Sequence, residues 1–137
     1  MTYRYTIPLP PITKKNSQQI LVNRRTGRPF IAPSKAYKKY EAAAIWYLTP
    51  KPNAPINRHC RVVTVFYMPT RRKCDLSNLI EAPHDVLVKA RILADDNYTI
   101  IDNVDGSRVM YDKENPRTEI FIEELEDEAD AHLRTLP

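Results

Sequence analysis

Polar and apolar residues alternate over Tyr3–Ile7, and the following Pro8-Leu9-Pro10-Pro11 cannot donate to a ladder, so a strand is predicted that stops there. Gln19–Asn23 and Pro29–Ala32 read as two short strands around Arg24-Arg25-Thr26-Gly27-Arg28, with Gly27 supplying the tight turn. Ser34 is placed to cap a helix over Lys35–Leu48, in which Tyr37, Tyr40, Ala44, Tyr47 and Leu48 recur at helical spacing and predict a buried stripe. Trp46 and the tyrosines of this helix are expected in the core rather than as platforms for bases. Pro50–Asn57 is a proline-rich connector too short to separate domains. Arg61–Met68 is a continuous run of β-branched and aromatic residues, which predicts a central strand buried on both faces. A second helix opens at Asp75 and reaches Ala90, with a kink or restart expected at Pro83, and Ile100–Asn103, Arg108–Tyr111 and Thr118–Glu124 supply late strands. The expected fold class is α/β of the α+β type, a small mixed β-sheet packed with two main helices. Residues 1–124 form one domain in this reading, and 125–137 an acidic tail.

The second helix sorts its residues by face. At 100° per residue from Asn78, Glu81 falls at about −60°, Asp85 at about −20° and Asp75 at about +60°, so the acids share one side. Leu76, Leu79, Ile80, Pro83, Val86, Leu87 and Ala90 fall on the other, an apolar stripe that can pack on a sheet and turn the carboxylates outward.

Charge adds a second asymmetry. Residues 1–73 carry 15 Lys/Arg against one acid, Glu41, whereas residues 74–137 carry 6 bases against 16 acids. A basic half of that size is what a polyanion-binding face looks like, because each neutralised phosphate releases counterions; mutual neutralisation of the two halves is the alternative. With only Gly27 and Gly106, glycine-rich phosphate cradles of the Walker or Rossmann kind are excluded. Cys60 and Cys74 are too few for a disulfide scaffold, and no CxxC pair or Cys/His cluster makes a structural zinc site, so a reduced, cytoplasmic setting is expected. No run approaches the roughly 18 apolar residues of a membrane span, and Thr2–Pro10 lacks an apolar signal core.

The chemistry lies where the two asymmetries meet. Asp75, Glu81 and Asp85 follow the basic run Arg71-Arg72-Lys73, and Asp95-Asp96 lie on the loop beyond the helix. Carboxylates repel phosphate, so their place after three bases makes little sense for bare DNA binding. A divalent ion reverses that sign: Mg²⁺ takes oxygen ligands, typically one or two carboxylates with water and a substrate phosphate. Taken singly, each acid also has an ordinary role, Asp75 as a cap, Glu81 and Asp85 as a solvated face, Asp95 and Asp96 as turn formers. His84 is placed to orient a carboxylate rather than to bind metal.

The run Arg71-Arg72-Lys73-Cys74-Asp75-Leu76-Ser77-Asn78-Leu79, then Asp85-Val86-Leu87 and Asp95-Asp96, resembles the RusA family of Holliday-junction resolvases. That family has a basic run, an Asp-Leu-Asp-Asn-Leu motif opening a helix, an Asp-Ala-Leu-like step and a later Asp-Asp pair. Ile7-Pro8-Leu9-Pro10-Pro11 with Asn16 is similar to its opening strand and loop, and the resemblance spans about residues 3–124. It implies a small homodimer that resolves four-way DNA junctions with Mg²⁺, or Mn²⁺ as a substitute, by paired nicks leaving 5′-phosphates. Asp75 and Asp96 are then the principal catalytic and metal residues, with Asp95 beside Asp96. Ser77 replaces the motif's second Asp, and Glu81 stands where characterised members carry a lysine. The expected site is therefore rearranged, with Asp75, Glu81, Asp85 and Asp96 sharing catalysis and the metal. Lys14, Lys15, Asn16, Arg71, Arg72, Lys73 and Asn78 are the expected DNA contacts. The alternative is a non-catalytic DNA-binding or partner-docking protein on the same fold.

Overall fold

The computed structural model describes residues 1–14 and 18–125. Lys15, Asn16 and residues 126–137 of the acidic tail lie outside the described residues. The elements are β1 (Thr2–Ile7), β2 (Gln18–Val22), β3 (Pro29–Pro33), α1 (Lys35–Trp46), β4 (Cys60–Met68), α2 (Leu76–Lys89), β5 (Ile101–Asn103), β6 (Arg108–Tyr111) and β7 (Arg117–Glu124).

β4 is central. It pairs antiparallel with β7, which pairs antiparallel with the edge strand β1, and on its other side it pairs parallel with β5 and β6, giving a mixed sheet. Both helices cover one face of that sheet. Tyr40, Ala44 and Leu48 from α1 and its end, and Val86, Leu87 and Ala90 from α2 and its end, close on Tyr5, Ile7, Val62, Ile120 and Ile122. The result is two layers around one core, the mixed sheet and two helices expected from the sequence. β2 and β3 form a separate two-stranded sheet.

Three expectations change. β4 is central but not buried on both faces: Cys60, Val62, Thr64 and Phe66 are buried, whereas Arg61, Val63 and Tyr67 are only half-buried. A sheet covered by helices on one side alone asks for alternation in its strands, and β4 alternates over most of its length. Trp46 is 83% exposed and Tyr47 is exposed, so the α1 stripe consists of Tyr37, Tyr40, Ala44 and Leu48 without them. α1 ends two residues short of the expected Lys35–Leu48, with Tyr47 as its C-cap, and Leu48 just beyond it is still buried in the core. Pro83 does not divide α2, which runs through it as one helix. The ring is buried against the core, which offsets the single backbone bond that proline forfeits.

The C-terminal end of α2 sets the course of the next segment. Arg91 adopts φ 63°, the left-handed conformation that usually calls for glycine after a helix. The chain then turns back, with the Ile92 and Leu93 N–H groups donating to the Leu87 carbonyl at 3.0 and 3.2 Å. Ile56 N–H donates to Ile92 O, and Ala94 N–H to Ile56 O, which pins this return to the connector before β4. The body also continues through Leu125, which is buried and donates its N–H to His59 O.

Arg91→Gly removes the steric cost of the left-handed conformation and is expected to raise the unfolding free energy by about 0.5–1 kcal/mol. Arg91→Val is expected to lower it, and urea denaturation of both variants checks the pair.

Candidate active site

Asp75 occupies the N-cap of α2 in an extended conformation, yet its carboxylate makes no cap bond to the helix. Such a residue ordinarily accepts from the N–H groups of the first turn. Here the backbone carbonyl of Asp75 takes the Asn78 and Leu79 N–H groups, and among the described residues its side-chain Oδ2 accepts only from Asn78 Nδ2, at 3.3 Å. The exposed carboxylate is left largely free. Thr13, Lys73, Cys74, Asp75 and Asn78 line a small cavity of about 190 Å³ beside it. The loop after β1 therefore reaches the start of α2, which brings the proline-rich opening and the basic run to one place.

The basic run has one fixed member. The Arg71 guanidinium lies 4.2 Å from the centroid of the Tyr111 ring at the end of β6, a cation–π contact. Arg72 and Lys73 are exposed, and the Arg72 N–H donates to Thr70 Oγ1. A cavity of about 480 Å³ on the open face of the sheet is lined by Arg4, Arg61, Arg108 and Phe121, and not by Asp75.

Asp85 has a different environment. Tyr37 Oη of α1 donates to its Oδ2 at 2.8 Å, Lys14 Nζ lies 3.4 Å from Oδ1, and Lys89 Nζ lies 3.5 Å from Oδ2. Lys89 also bridges to Glu41 at 2.8 Å. Burial alone would raise the pKa of Asp85, but the Tyr37 hydroxyl first, then Glu41, Lys14 and Lys89, hold it below the usual carboxylate value. Burial, and then the Asp85 bond, push the Tyr37 hydroxyl far above its ordinary range. Lys14 also lies over the Tyr37 ring at 5.9 Å. Both Asp85 oxygens are thus engaged in a cross-link between α1, α2 and the loop after β1.

The shared helical face does not by itself gather the acids. With a rise of 1.5 Å per residue, Asp75 and Glu81 stand about 9 Å apart along the α2 axis, and Asp75 and Asp85 about 15 Å. Glu81 is exposed. Among the described residues, no group of three or more His, Cys, Asp and Glu side chains comes together to hold a metal ion. Asp95 and Asp96 sit on the exposed return after α2, where Asp95 Oδ1 accepts the Asp96 N–H at 2.7 Å. That bond lowers the Asp95 value. Partial loss of water first, then the Asp95 carboxylate, raise that of Asp96, and the Asp85 charge adds to the effect.

The sequence missed this cross-link, since Tyr37 lies 48 residues from Asp85 and reads as an ordinary core position. A signal existed in Tyr37 and Glu41 one turn apart on α1, facing Asp85 and Lys89 one turn apart on α2. His84, next to Asp85, is half-buried, and burial lowers its value to about 4, so it is neutral near pH 7. Its Nε2 is buried with no hydrogen-bond partner among the described residues.

Tyr37→Phe and Asp85→Asn are each expected to cost about 1–3 kcal/mol, and the double variant less than the sum, as urea unfolding in a double-mutant cycle checks. His84 binds a proton near pH 6.5 when unfolded and near pH 4 when folded, so the unfolded state gains protons first as pH falls. Its contribution is present above pH 6.5 and declines toward pH 4, by on the order of 3 kcal/mol. His84→Leu is expected to flatten the stability profile between those values.

Comparison with curated proteins finds no match. The family model described as Endodeoxyribonuclease RusA matches residues 8–123, from the proline loop through the last strand. That span takes in the loop beside Asp75, the basic run, α2 and the Asp95-Asp96 return, and the chain belongs to the RusA endodeoxyribonuclease family, whose members act on Holliday junctions.

Proposed function

We propose that this chain is a Mg²⁺-dependent, structure-selective endonuclease that resolves four-way junctions by paired, symmetric incision as a homodimer, leaving 5′-phosphate ends. The observation that carries this reading is the unclosed cap at Asp75: an exposed carboxylate with no cap bond, beside Lys73 and Asn78, in a chain that belongs to a nuclease family. Exposed carboxylates are hard oxygen donors and suit Mg²⁺. That ion keeps several waters and takes one or two carboxylates with a substrate phosphate, so it needs no preassembled protein cage.

Asp75 and Asp96 would hold the ion, with Asp95 and Glu81 as further carboxylates on the same loop and helix. When bound, the ion lowers the pKa of a coordinated water and offsets charge on the reacting phosphate. Arg71, Arg72 and Lys73 hold the DNA backbone next to Asp75, and Asn78 orients its carboxylate. Asp85, with both oxygens engaged, is a positioning residue that fixes Lys14 near α2 as a further cation for phosphate. Lys15 and Asn16, next in the same loop, extend the DNA contact in this reading.

Ser77, Glu81 and the lack, among the described residues, of a ready three-acid cluster favour the second reading, a protein of this fold that binds DNA without cutting it. Incubation with labelled four-way junctions separates the two. Wild type is expected to incise with Mg²⁺ and not with EDTA. Asp75→Asn and Asp96→Asn are each expected to lose about 100-fold or more in incision rate while binding the junction as wild type does. Binding without incision by wild type moves the assignment to the second reading.

A further inference from the structure

The β2–β3 ribbon carries an apolar face that no described residue covers. Its register sets Ile20 opposite Ile31 and Val22 opposite Pro29, so these four side chains share one side. Ile20 is 75%, Ile31 68% and Val22 61% exposed. An isolated two-stranded hairpin is marginal in water, and an apolar face of this kind marks a surface that meets something else.

The turn gives the chemistry of that partner. Asn23 closes it by accepting the Arg25 and Thr26 N–H groups on Oδ1 and the Gly27 N–H on its carbonyl, with Gly27 at φ 72°. This ordered turn projects Arg24, Arg25 and Arg28, all exposed and in no ion pair with any described residue. Three arginines on one tight turn complement a run of phosphates, to which the guanidinium binds through paired hydrogen bonds. Five residues per strand make a ribbon about 17 Å long, enough to enter a groove or an opening in DNA.

Linear duplex offers phosphates but keeps the faces of its bases stacked. A branch point exposes base faces where stacking is interrupted, and apolar side chains are the groups proteins set against unstacked base steps. We propose that the β2–β3 ribbon is a DNA-probing arm, in which Arg24, Arg25 and Arg28 grip phosphates while Ile20, Val22 and Ile31 lie against exposed bases at a branch. The arm is then the element that prefers branched to linear DNA. This rests on the family-level reading of junction DNA as substrate, and it names residues distant in sequence from Asp75.

The test compares binding of a four-way junction and of a linear duplex of equal length, at several salt concentrations without divalent metal. Arg24→Gln/Arg25→Gln/Arg28→Gln is expected to weaken both and to make the slope of log K on log salt shallower by about 2–3. Ile20→Ser/Ile31→Ser is expected to weaken junction binding at least 10-fold and leave duplex binding unchanged. Thermal midpoints and circular dichroism check that the body of each variant folds, as the exposure of these side chains leads one to expect. Junction affinity unchanged in both variants overturns the inference, while wild-type incision with Mg²⁺ leaves the nuclease reading intact. A wild type that binds neither DNA overturns both. If Ile20→Ser/Ile31→Ser turns a dimer into a monomer by light scattering, a second copy covers the face and the DNA arm is refuted.

Discussion

The contact on which the site's geometry most depends is the one between Asp85 and the groups that surround it. The carboxylate of α2 holds the Tyr37 hydroxyl of α1, the Lys14 ammonium of the loop after β1, and the Lys89 ammonium that also binds Glu41. A half-buried carboxylate with three donors is anchored far more firmly than an exposed ion pair, whose worth is often near zero. Holding Lys14 in place also holds Thr13 against the cavity at Asp75 and Asn78. The proline-rich loop, which has no regular structure of its own, is thereby fixed across the helix that opens with the motif.

This explains how carboxylates and cations coexist on one surface. Asp85 is neutralised by protein cations, whereas the exposed Asp75 carboxylate makes no cap bond and shares a cavity with Lys73. An exposed carboxylate among bases is a poor neighbour for phosphate and a good one for a hard cation that also binds phosphate. The charge imbalance along the chain has a matching form in the fold, since the basic run, the ribbon tip and Lys14 all come from its first half.

Much of this was legible in the sequence. The run Thr118–Glu124 and the stripe of α2 predicted a sheet packed on a helix, and Gly27 between the two short runs Gln19–Asn23 and Pro29–Ala32 predicted the hairpin. What failed did so for spatial reasons. A helical wheel reports angle and not rise, so it placed Asp75 and Asp85 together although about 15 Å of helix axis separates them. The run Arg61–Met68 looked buried throughout because its residue types are apolar, but which face a second layer covers is decided by the whole chain. Trp46 falls on the side of α1 opposite Tyr37, Tyr40 and Ala44, so the same helix that buries them turns it to solvent. The tie between Tyr37 and Asp85 joins elements far apart in sequence, and only tertiary packing creates it.

The most direct measurement of the central claim is electron paramagnetic resonance of Mn²⁺ titrated into the protein–junction complex. Wild type is predicted to immobilise the ion, and Asp75→Asn to lose that signal while holding the DNA with the same affinity. Equal Mn²⁺ binding by the two proteins, with equal rates of incision, would contradict the assignment of Asp75 as the carboxylate that seats the cation against DNA.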